Sequence, residues 1–274
     1  MKRVATIILN RNLPVETNQL WKTIDSNDHD LTDIYVVEAG SDENNLSDYV
    51  TWHVNDAHTS QYGLRYSRGM NFALSQLWKN KLFGSYDAFF LVTNDTEFLS
   101  PHPIQELMTV LDAHSKVGII SPCSDQWGEK ILLQSQRIKY FWFVHNTAYL
   151  MRREFLESIA NTEYPDMNQF IFDGSNFRGY GMESEMIARA YANDWAVAIT
   201  SQVRIGENES YLLNRADLIK TEPYNENLIL YVEEGKKWMR NKYGFNSHWS
   251  MNLYAKLFYD QFFEYNPDLQ GWQL

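Results

Sequence analysis

Short apolar runs alternate with polar and helix-period segments through the first 120 residues. Val4 to Leu9 is β-rich and stops at Asn10-Arg11-Asn12-Leu13-Pro14. Glu16 to Ile24 then has helical spacing, and Ile34 to Val37 is a second buried strand closed by Glu38-Ala39-Gly40-Ser41-Asp42. Thr51 to Val54 reads as a third strand. Tyr66 to Trp78 carries Met70, Leu74 and Leu77 on one helical face. Ala88 to Val92 is apolar on both faces, as a central strand is, and it ends in Thr93-Asn94-Asp95-Thr96-Glu97. Pro103 to His114 predicts a helix with proline in its first turn, and Val117 to Ile120 another strand. This rhythm predicts an α/β fold, a mostly parallel sheet flanked by helices with right-handed crossovers.

Beyond residue 130 the rhythm is less regular. Lys139 to Leu150 reads as strands, Met182 to Ala192 as a helix and Ala196 to Ile199 as a strand. Residues 225–265 read as helical and aromatic-rich. Leu228, Tyr231 and Val232, then Leu253, Leu257 and Phe258, are expected to pack on the sheet domain. The expected organisation is a sheet domain over residues 1–215 and a helical extension over 216–274.

Composition narrows the function classes. The chain has 274 residues and a formal net charge of −11. Broad electrostatic binding of nucleic acid is disfavoured, whereas a small anionic substrate in a local cationic pocket is not. The one cysteine, Cys123, excludes an intramolecular disulfide and makes a cysteine-based zinc site implausible. Aromatic residues make up 15%, which reads first as core packing and second as sugar stacking. The first apolar run is too short for a signal peptide, and no run is long enough to span a bilayer. A cytoplasmic location is the default expectation.

Parallel α/β sheets bind ligands beyond the carboxyl ends of their strands. The polar clusters at 10–14, 38–42 and 93–97 each follow an apolar strand, so they are expected to meet on one rim. Asp95 suits a Mg2+ or Mn2+ ion shared with substrate phosphates, although the tetrapeptide alone favours a simple turn in which Asp95 caps the next segment. Glu38 suits a ribose or base contact, or a glycine-containing turn. Gly63 to Asn71 opens a helix and carries Arg65 and Arg68, a phosphate site or a solvated basic turn. Glu183 and Glu185 open the helix after Phe177 to Gly181. Two residues apart, they do not share a helix face. Trp127, Trp142, His145, Asn146 and Asp173 are further pocket candidates, each equally readable as structural.

Taken in order, these clusters resemble the family 2 glycosyltransferases with the GT-A, Rossmann-like fold, over roughly residues 4–210. The resemblance rests on Ile7 to Asn12, on Val36-Val37-Glu38 with Gly40-Ser41-Asp42, on Gly63 to Asn71, on Leu91 to Thr96, and on Gly181 to Glu185 followed by Arg189-Ala190 and Trp195. It implies a metal-assisted, inverting transfer of a sugar from a UDP-, GDP- or TDP-linked donor to a glycan or other hydroxyl acceptor. By position it implies Asp95 as metal ligand and Glu183 as catalytic base, with Glu185 as second candidate. Asn10, Asn12, Glu38, Ser41, Arg65, Arg68, Asn71 and Asn94 are the implied nucleotide-sugar contacts.

Three departures from the family pattern stand out. Thr93 replaces a carboxylate in the metal motif. The base motif reads Glu183-Ser184-Glu185. The region Val203 to Glu207 lacks a metal-binding histidine and offers Arg204 or Glu207 instead. One rival is a sugar nucleotidyltransferase, which needs a glycine-rich loop after the first strand where this chain has Asn10 to Pro14. The other is a non-catalytic nucleotide-sugar or glycan-binding module, which the altered metal motif favours.

Overall fold

The computed structural model describes residues 3–124, 126, 137–208, 210 and 214–274. Among the described residues, nine strands form one sheet: β1 (Val4–Asn10), β2 (Thr32–Ala39), β3 (Val50–Val54), β4 (Ala88–Thr93), β5 (Thr96–Phe98), β6 (Val117–Ser124), β7 (Ile138–Tyr140), β8 (Ala148–Arg152) and β9 (Ala196–Glu207). Their order is β3-β2-β1-β4-β8-β6-β9-β5, with β7 also on β9. The strands β3, β2, β1 and β4 run parallel, β8 is antiparallel to both neighbours, and β6 and β9 are parallel again. This is the expected mostly parallel α/β sheet. Val117 to Ile120 and Ala196 to Ile199 prove to be the starts of longer strands. Lys139 to Leu150 divides into the ends of β7 and β8 with a bend between them.

The helices are α1 (Pro14–Asp28), α2 (Ala57–Tyr62), α3 (Arg65–Lys79), α4 (Pro103–Ala113), α5 (Arg153–Ile159), α6 (Met182–Ala192), α7 (Tyr224–Tyr243) and α8 (His248–Tyr265). Phe89, Phe90, Leu91 and Val92 are fully buried, as two covered faces require. The α1 and α4 helices pack together, and α3 packs on β1 and β2. Asp28 at the end of α1 accepts from the Ile104 and Gln105 amides, at 3.1 and 3.2 Å, and so caps α4.

Of the residues expected to join the C-terminal helices to this core, Phe258 packs against it and Tyr231 against Tyr180, while the leucines do not. Leu228, Leu253 and Leu257 are exposed; Met251, Ala255, Tyr259, Phe262 and Phe263 are buried. The α8 helix packs on α6, where Ser184 donates to Asn252 at 2.6 Å. The buried stripe runs through 251, 255, 259 and 262, so Leu253 and Leu257 on the opposite side are left to solvent. Among the described residues, no helix is long and apolar enough to cross a membrane.

Candidate active site

Parallel register places Asn10 opposite Glu38 and Leu9 opposite Thr93, so the ends of β1, β2 and β4 share one rim. Asn94 and Asp95 form the tight turn from β4 into β5. Two cavities meet at this turn. One, of about 230 Å³, is lined by Asn10, Arg11, Arg65, Tyr66, Asn94 and Asp95, with Ile219 and Thr221 on its far wall. The other, of about 360 Å³, lies between α1 and the Asn94 to Phe98 segment and shares Asn94, Asp95 and Asn208 with the first.

Glu38 is fully buried behind this rim. Its oxygens accept two bonds from the Asn10 amide at 3.0 and 2.8 Å, one from Ser41 at 2.5 Å and one from the Ser47 amide at 2.8 Å. Asn12 donates its backbone N–H to Ser41 at 3.0 Å and its side-chain amide to the Leu218 carbonyl at 2.7 Å. Gly40 lets this loop close on α2, because a Cβ there would lie 2.0 Å from the Thr59 carbonyl oxygen. Glu38, Ser41 and Asn12 thus brace the rim from behind, whereas Asn10 and Asn94 reach the cavity wall. Asn94 donates to Asn10 at 3.0 Å and Thr17 at 3.2 Å.

Arg65 lines the cavity. Its guanidinium donates to Thr221 at 2.9 Å and lies 3.5 Å from Glu222. Arg68 donates to the Gly174 carbonyl at 2.9 Å instead. Arg65, Arg68 and Arg178 gather around the Phe177 ring at 5.7, 4.9 and 6.0 Å, the surface against which the Phe177 to Gly181 segment is shaped. Asn71 is fully buried and bonds the 167–172 loop through the Met167 and Phe172 carbonyls and the Ile171 and Phe172 amides. It faces that loop rather than the cavity.

Glu183 and Glu185 separate as their spacing requires. Glu185 is 3% exposed, accepts from Tyr243 and pairs with Lys242 at 2.6 Å. Lys242 also binds Asp173 at 2.6 Å, so Glu185 and Asp173 tie α6 and its preceding loop to α7. Burial alone would raise the Asp173 carboxyl, but bonds from Lys242, Ser175 and Trp238 outweigh it and hold the group at about 2. Glu183 lies among Tyr66, Tyr180 and Tyr231, and no described side chain donates to it. Desolvation pushes it up to about 7. Tyr66 links it to the cavity that Asp95 lines, and the Tyr66 hydroxyl is itself buried without a hydrogen-bond partner.

Sequence reading missed Arg11, Tyr66 and the role of Thr93. Arg11 was visible only as a lone cation in the turn after the first strand. The Thr93 hydroxyl donates to the Thr147 carbonyl at 3.2 Å. A carboxylate at 93 would face that oxygen acceptor to acceptor, which accounts for the departure from the metal motif. No group of three His, Cys, Asp or Glu able to hold a metal exists among the described residues. Arg204 and Glu207 line neither cavity; Glu207 accepts from Thr147. Asp95 is thus the one carboxylate among the described residues common to both cavities. A single carboxylate holds Mg2+ only when phosphates and waters complete its shell. His145 is pushed down to about 4 by burial, Trp142 packs between Phe141 and Phe143, and neither they nor Asn146 line these cavities. Trp127 lies outside the described residues.

No family model and no curated protein matches the chain in sequence. Solved structures do match in shape. A mannosyltransferase from Pyrobaculum calidifontis, in complex with GDP-mannose and Mn2+, superposes with a TM-score of 0.50 at 12% identity, over 93% of this chain and 73% of the other. Glucosyl-3-phosphoglycerate synthase from Mycobacterium tuberculosis, in complex with Mn2+, UDP and phosphoglyceric acid, gives 0.49 at 12% identity, over 87% and 78%. The fold is GT-A-like and resembles that of nucleotide-sugar-dependent glycosyltransferases.

Proposed function

We propose that this chain is a glycosyltransferase that moves a sugar from a nucleoside-diphosphate sugar to an acceptor hydroxyl with inversion. The observation that carries this reading is Glu183, a carboxyl that desolvation pushes up to about 7 and that lies near Tyr66, a lining residue of the open cavity. A base with a pKa near the working pH both exists ionised and takes a proton effectively. Glu183 accepts the proton of the acceptor hydroxyl as that oxygen bonds to the anomeric carbon. The bond from that carbon to the phosphate oxygen breaks, and its electron pair leaves with the nucleoside diphosphate. Asn10, Asn94, Asp95 and Arg65 contact the donor on the cavity wall. Glu38, Ser41, Asn12, Asn71 and Arg68 hold the loops that shape it. Residues 1–215 carry the donor site in this reading, and 216–274 form the helical extension, with Ile219 and Thr221 closing the cavity.

The test is transfer from a panel of UDP-, GDP- and TDP-sugars by the wild type and Glu183→Gln. The variant is expected to lose about 10³-fold in turnover, within the range of general-base catalysis, while nucleoside-diphosphate affinity stays within about threefold. Equal loss of both would remove Glu183 from the role of base. A non-catalytic nucleotide-sugar-binding module is the second reading, favoured by the single carboxylate at the β4 turn. Such a module releases no nucleoside diphosphate from any member of the panel.

A further inference from the structure

We infer that the guanidiniums of Arg11 and Arg65, rather than a protein-bound divalent cation, seat the donor diphosphate in the cavity beside Asn94. The inference rests on the nucleotide-sugar reading of that cavity and says what meets the charge there.

Both arginines line the same cavity, from the β1 turn and from the start of α3. Arg11 donates to the Ser60 and Gln61 carbonyls at 3.3 and 3.0 Å, and Arg65 to Thr221. The Nε of each is buried with no acceptor among the described residues. The carboxylates that act on Arg11 are Asp42 and Glu222. Asp42 is already engaged by Lys220, and Glu222 by Arg178 at 2.5 Å. Arg65 is likewise acted on by Glu222 and Glu234, both of which pair with Arg178. Two cations therefore stand in one partly desolvated cavity that Asp95 alone of the described carboxylates lines, and the carboxylates behind it are shared with Lys220 and Arg178. Burial and the neighbouring Arg65 charge lower Arg11 to about 10, and burial with the Arg178 charge lowers Arg65.

Such an arrangement costs free energy until an anion enters. A diphosphate presents several oxygens to planar guanidinium forks, the geometry arginine binds best. The backbone also makes room for this placement. A Cβ at Gly63 would lie 2.3 Å from the Arg11 Nη1, and Gly63 has φ +74. Thr93, meanwhile, is committed to the Thr147 carbonyl and supplies no second carboxylate for a cation.

The experiment is titration calorimetry of the full chain with GDP, UDP and inorganic pyrophosphate, in EDTA and in Mn2+. At least one probe is expected to bind in EDTA within about threefold of its affinity in Mn2+. Arg11→Gln is expected to weaken it about tenfold, as loss of a charge-assisted bond does, with Arg11→Lys intermediate because it keeps the charge and loses the fork. Glu222→Gln, which frees Arg65 from a competing carboxylate, is expected to tighten it severalfold and decides the matter should Arg11→Gln fail to fold. Binding that needs Mn2+, or that ignores both variants, overturns the arginine seat and leaves sugar transfer standing. Silence of all three probes in both buffers overturns the seat and the nucleotide-sugar reading together.

Discussion

Glu38 at the end of β2 is sealed behind the rim with four hydrogen bonds from three donors on its two oxygens, while Glu183 at the start of α6 lies among three tyrosines, of which Tyr66 lines the cavity, with no described side-chain donor. Both are carboxylates at the end of a regular element, one a strand and the other a helix. The count of donors separates them. A saturated carboxylate works as a brace for two loops. A desolvated one without donors holds its proton more tightly and becomes a base near neutral pH. Glu185, two residues from Glu183, falls on the saturated side with Lys242 and Tyr243. Position in a motif therefore does not assign the role; the neighbours do.

Removing the group on the unsaturated side has the largest expected effect, the turnover loss in Glu183→Gln. On the saturated side, Glu38→Ala strands the Asn10, Ser41 and Ser47 donors in a buried place. It is expected to cost about 3 kcal/mol, read as a drop in urea midpoint. A loss of nucleotide affinity in that variant with no loss of stability would place Glu38 on the ligand and break the comparison.

A pH series sharpens it further. The folded Glu183 pKa, about 7, lies above its ordinary 4.5. The folded protein therefore keeps a proton that the unfolded chain releases between those values. The contribution of Glu183 to stability is full below about 4.5 and falls as pH rises to about 7. Glu183→Gln is expected to gain about 3 kcal/mol relative to wild type at pH 8 and nothing at pH 4, by chemical denaturation. In the wild type, kcat/KM is expected to rise about tenfold per pH unit below 7 and then level off. A profile already flat from pH 5 would remove the raised carboxyl from the chemistry.

The smallest effect is expected from Lys242→Met, which cuts the tie between α7 and the Glu185 and Asp173 carboxylates. Lys242 is 40% exposed, so about 1 kcal/mol is expected, with turnover unchanged. A turnover loss as large as that of Glu183→Gln would move the base to Glu185.

The alternation of apolar runs and turn residues determined β1, β2, β4, α3 and α6 and the strand-end positions of residues 10, 38 and 95, because periodicity and turn chemistry act over a few neighbouring residues. The two-residue spacing of Glu183 and Glu185 likewise determined that they part company. Tertiary structure alone decided that Glu38 closes on Asn10 and Ser47, that α8 buries Tyr259 and Phe262 while leaving Leu253 and Leu257 to solvent, and that Arg11 meets Arg65 across Gly63. Each of these depends on which distant side chain supplies the donor, the cover or the charge. A partner 28 or 54 positions away is chosen by packing, which no local pattern encodes.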